Sequence, residues 1–149
     1  MTIRAATPGA RTQKRKTAMT WHDLIQEIRT TGRYDSDQEA EHVLRAVLAL
    51  LGGQLTGEER CDLAAALPDR ARTAFASQIP IVRPATAPAF VEAVATALNN
   101  SLAGARWHTT SVLAPIADLA GDRLSERLLA ALPRGYALLF GRAELTAAA

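Results

Sequence analysis

Cysteine is nearly absent: Cys61 stands alone, which excludes an internal disulfide and with it the small stapled scaffolds of secreted chains. Aromatic residues make up 5% of the chain, too few and too scattered to interleave with basic residues as a base-stacking platform. The longest uninterrupted apolar stretch runs only from Ala46 to Leu51, against the roughly 20 residues of a bilayer span, so no membrane crossing is expected. No apolar segment follows the basic N-terminus, which argues against a secretory signal and for a cytoplasmic protein. Glycine-rich phosphate loops, a serine elbow and a dinucleotide fingerprint are missing, and Gly52-Gly53 reads as a helix stop. Lysine occurs only at Lys14 and Lys16.

What is present is an ordinary globular balance of 48% hydrophobic and 21% charged residues over 149 positions, enough for one domain or two very small ones. The net charge of +2 is unevenly placed. Arg4, Arg11, Lys14, Arg15 and Lys16 fall among the first 20 residues without one acid, so the remainder is mildly acidic. That first segment has almost no large apolar side chain to offset its chain entropy, and 1–19 reads as a disordered basic tail. Met19, where periodic sequence begins, is a second candidate start of translation.

From Thr20 the apolar spacing is helical. Trp21, Leu24, Ile25 and Ile28 share one face, closed by Gly32. Ser36 with Glu39 forms an expected capping box before the stripe Ala40, Val43, Leu44, Val47, Leu48 and Leu51. A second box, Thr56 with Glu59, opens a shorter helix through Ala66, and Leu67-Pro68 turns the chain into a helix carrying Ala71 and Phe75. Pro80, Pro84 and Pro88 mark 79–88 as an extended linker. Helical spacing resumes at Phe90, Val91, Val94 and Leu98, ended by Asn99-Asn100, and again at Val112, Leu113, Ile116 and Leu119. Pro115 is expected to kink or shorten that last helix.

Leu63, Leu67, Pro68 and Phe75 recur as Leu128, Leu132, Pro133 and Phe140, each 65 positions later, and Leu24 and Ile28 match Phe90 and Val94 at 66. The expectation is an all-α fold: two tandem four-helix repeats, 20–78 and 89–145, packed as one compact helical bundle with pseudo-twofold symmetry. The run Asp37 to Leu51, followed by Thr56, Glu58, Glu59, Asp62, Leu63, Ala64 and the Leu67-Pro68 corner, resembles the bacterial domain-of-unknown-function family 2267 over about residues 20 to 145. Trp107 to Pro115 departs from that pattern. The resemblance implies a helical repeat and brings no activity, ligand or catalytic residue.

Reactive groups are few. Glu39 and His42 have the Glu-x-x-His spacing of di-iron bundles, but a dinuclear site needs a second copy, and Ala105 and Met19 stand three positions before His108 and His22. Cys61 lies in the first turns of a helix, where the dipole can activate a thiol, but a nucleophile needs a histidine within hydrogen-bond reach, which spacing does not show; it reads as a half-buried packing residue, with a small enzyme centred on Cys61 or His42 as a third reading of the chain. Trp21 and Trp107, each followed by histidine, are 86 apart and so not equivalent in the repeat. Glu41 and Arg45 suit an exposed i,i+4 pair. No catalytic, metal or cofactor site is expected. The chain reads as a non-enzymatic protein-interaction or scaffold module, with a protein partner or self-association through the stripe on Val43 to Leu51 or a face at Leu138, Leu139 and Phe140. The alternative is a weak nucleic-acid or anionic-surface binder using Arg11, Lys14, Arg15 and Lys16.

Overall fold

The computed structural model describes residues 19–81 and 83–142. The tail positions Arg11, Lys14, Arg15 and Lys16 lie outside the described residues. Among the described residues there are eight helices and no strand: α1 (Trp21–Gly32), α2 (Asp37–Gly52), α3 (Gly57–Ala66), α4 (Asp69–Ala76), α5 (Ala87–Leu98), α6 (Leu102–Ala120), α7 (Asp122–Ala131) and α8 (Tyr136–Leu139). None is long and apolar enough to cross a membrane.

Local chemistry sets most of the ends. At α1 the Thr20 hydroxyl accepts the Asp23 N–H at 3.0 Å while the Asp23 carboxylate accepts the Thr20 N–H at 3.3 Å, a full capping box. Gly32 is the last residue of α1, but the left-handed cap is Arg33 at φ 57°. At α2 the Ser36 hydroxyl caps Glu39 as expected, whereas the Glu39 carboxylate reaches past Ser36 to the Asp35 N–H, so the box is only half formed. The expected box at Thr56 does not form at all. Gly57 sits at φ 66°, which turns the first N–H groups of α3 away from the Thr56 hydroxyl, and Glu59 faces Arg127 of α7 instead. Leu67 and Leu132 are both held extended by the prolines that follow, giving sharp corners after α3 and α7.

One further expectation is corrected, and the shortening expected at Pro115 does not occur. Pro88 belongs to the first turn of α5, where it loses no hydrogen bond, so the extended connection closes at Thr86, whose hydroxyl caps Ala89. Pro115 does not shorten α6, which runs on to Ala120. An interior proline costs about 3 kcal/mol, but α6 packs against α1, α2, α5, α7 and α8, and fully burying Val112, Leu113 and Ile116 beside that proline contributes about 1.5–3 kcal/mol each.

One hydrophobic core runs through all eight helices. It includes Leu24 and Ile28 of α1, the whole stripe from Ala40 to Leu51 on α2, Leu63, Phe75, Phe90, Val94, Leu128 and Tyr136. The α2 stripe is therefore spent inside the molecule and offers no surface. α1 packs on α6 and α5 packs on α2, while α3 meets α7 through Arg127, which reaches Asp62 at 2.7 Å and Glu59 at 3.4 Å.

Candidate functional site

The reactive residues singled out from sequence are dispersed over the molecule. Glu39 and His42 line an open depression on α2 with Ser36 and Arg45, and no group of three His, Cys, Asp or Glu that could hold a metal occurs among the described residues. Cys61 is exposed rather than half-buried, beside Asp62 and Arg127 with no histidine in that depression. Glu41 and Arg45 form the expected pair at 2.9 Å, and the Arg45 guanidinium also lies 5.0 Å over the Trp21 ring. Trp107, 50% exposed, donates its indole N–H to the Gly32 carbonyl at 3.0 Å and so ties α6 to the end of α1.

Beside Trp107, the buried Tyr34 stacks on His108 with its hydroxyl 2.6 Å from Nδ1. Burial pushes the Tyr34 phenol up to about 12, against the opposing Ser111 hydroxyl, and burial also holds His108 below its ordinary value, against the charge of Glu39. Burial thus disfavours the charged form of both groups. A raised phenol favours the folded chain below the unfolded value, and that contribution is lost as pH climbs through the folded one. Stability should fall between pH 10.0 and about 12, by about 2 kcal/mol from Tyr34, and buried Tyr136 acts in the same direction. Urea midpoints across that window check this: a wild-type slope no steeper than that of Tyr34→Phe would contradict it.

The expected face at Leu138, Leu139 and Phe140 is corrected by the structure. Leu139 and Phe140 turn into the core, because α8 is a single turn wedged between α5 and α6, and only Leu138 remains outside, at 63% exposure. Leu138 instead borders a groove of about 510 Å³ that the sequence reading did not find. Its floor is apolar: Ala87 and Val91 of α5 with Leu139 of α8. Arg106 and Thr110, one turn apart on α6, and Arg134, just before α8, also line it. No carboxylate lines the groove, and among the described residues none pairs with Arg106 or Arg134.

Among the described residues the lining supplies two guanidinium groups and one side-chain hydroxyl, that of Thr110, as its polar side chains. A volume of this size with an apolar floor and a few placed polar groups is typical of sites that seat a ligand or a partner's anchoring side chain. A sequence feature bears on it: Trp21 stands 66 positions before Ala87, the same offset that separates Leu24 from Phe90. Among curated proteins none matches this chain. The family described as uncharacterized conserved protein, DUF2267, matches residues 21–139, and the chain belongs to it.

Proposed function

We propose that the chain is a non-enzymatic protein-binding module made of a duplicated four-helix unit, with its docking site in the groove between α5, α6 and α8. The duplication is supported by register. α3 and α7 begin and end 65 residues apart, α2 and α6 begin 65 apart, and α1 and α5 correspond at 66 throughout. Thr20 and Thr86 are like caps, as are Ser36 and Ser101, and Arg33 and Asn99 are both left-handed. The loop 33–36 is one residue longer than 99–101, which accounts for the change of offset. α1 on α6 and α5 on α2 are reciprocal contacts, the pattern a twofold axis generates.

The binding reading is carried by one observation: an apolar floor bordered by exposed Leu138 and by two arginines that no acid among the described residues pairs with. Exposed apolar surface beside unpaired charge is the pattern of a docking site waiting for its complement. Affinity capture from the native host with the full chain and with Leu138→Asp tests it. The wild type should retain a stable protein partner that Leu138→Asp loses; identical captures would refute the groove as the docking site.

A further inference from the structure

We infer that the segment docked in this groove is acidic and aromatic: an aromatic side chain, of which an indole is the model, flanked by carboxylates. This rests on the docking reading above and deepens it. It follows from the corresponding place in the first half of the molecule, where the chain supplies its own indole beside a depression of about 470 Å³ lined by Trp21 and Asp69. There Trp21 packs against the core, Arg45 covers its ring at 5.0 Å, and Glu41 holds Arg45 at 2.9 Å. Asp69 lies beside Trp21 at the corner before α4.

At the matching positions of the second half every one of these is changed. Ala87 replaces Trp21, so the indole is missing; Thr110 replaces Arg45, so its cover is missing; and Arg106 and Arg134 replace the acids Glu41 and Asp69. The groove therefore lacks the indole that the first half has at this place, and its border carries two arginines where the first half has Glu41 and Asp69, each paired with an arginine. An occupant that restores the packing brings an aromatic ring, and one that neutralises the border brings carboxylates. A basic segment would meet two arginines with nothing to compensate them. Guanidinium groups bind carboxylates through paired, directional hydrogen bonds, which favours acids over other polar groups as the flanking residues.

Fluorescence anisotropy on the full chain tests this with a labelled peptide that places one tryptophan between glutamates. Two controls replace the tryptophan by alanine or the glutamates by lysines. The wild-type chain should bind the parent peptide about tenfold more tightly than either control, with affinity falling as salt rises, since two exposed charge pairs are screened. Arg106→Glu with Arg134→Glu, both at exposed positions, should remove the preference for glutamate, and Thr110→Trp, which fills the groove from α6, should weaken every peptide. Equal affinity for the glutamate and lysine peptides would overturn the inference. So would indole-3-propionate binding as tightly as the peptide, because the groove would then be a small-molecule site. If a captured partner is lost from Leu138→Asp but kept by the double arginine variant, docking stands and the acidic-aromatic assignment fails. If neither variant loses it, both fall.

Discussion

Gly52→Ala should lower the unfolding free energy by about 3 kcal/mol, more than an ordinary surface glycine substitution could. Gly52 closes α2 at the point where the backbone of α4 crosses it, and a Cβ there would fall on the carbonyl oxygen of Phe75. Backbone cannot rotate aside as a side chain can. The helices must separate, and the ring of Phe75, fully buried, loses its packing. The same corner is closed by Arg60, which donates to the Gly52 carbonyl at 3.1 Å and the Gln78 carbonyl at 2.8 Å with its guanidinium over the Phe75 ring. Gly53→Ala is the internal control. Its Cβ would meet nothing nearer than 3.5 Å, so that variant should be neutral or gain about 0.5 kcal/mol through a less flexible unfolded chain. Urea denaturation of both variants decides the matter: equal costs would show that close approach is not what requires glycine at position 52.

Tyr136→Ala is the second large expectation, at about 4 kcal/mol, against about 1 kcal/mol for Tyr136→Phe. The Tyr136 ring is fully buried and sits edge-on to Phe90 at 5.7 Å, while its hydroxyl donates to the Ala85 carbonyl at 2.8 Å. Helix α8 has only four residues, too few to hold together without such an anchor. Removing the ring should therefore also release Leu138 and Leu139 and abolish peptide binding in the groove, whereas removing only the hydroxyl should leave binding in place. Chemical denaturation and anisotropy on the two variants give the comparison, and an alanine variant no less stable than the phenylalanine one would contradict it.

How much of this was legible in the sequence depended on range. Apolar periodicity located α1 and α2, because the spacing of Leu24, Ile28, Val43 and Leu44 follows directly from a helix with one buried face. The Leu-Pro corners at Leu67 and Leu132 were equally plain, since proline constrains its predecessor locally. What failed depended on partners distant in sequence. Glu59 looks like a capping residue until Arg127 competes for it, and Pro115 looks like a helix end until the burial around α6 outweighs it. Leu139 and Phe140 resembled a surface face because one turn of helix shows no period from which to read an inward side. The groove was hidden for a related reason: it is defined by what Ala87 lacks, and an alanine in a helix carries no signal until it is set beside Trp21.

The continuous core has a consequence for how the protein is made. Residues 77–81 and 83–86 join the first four helices to the last four and are tied to both sets: the Ile81 N–H donates to the Gly53 carbonyl, the Ala85 N–H to the Gln54 side-chain oxygen, and the Tyr136 hydroxyl to the Ala85 carbonyl. As the chain leaves the ribosome, α1 to α4 emerge first, with the part of the apolar surface of α1 and α2 that α5 and α6 later cover still facing water. Until those helices arrive, the nascent first half is a sticky fragment that competes between its own sister half and any neighbouring chain, and this interval is where misassembly would begin.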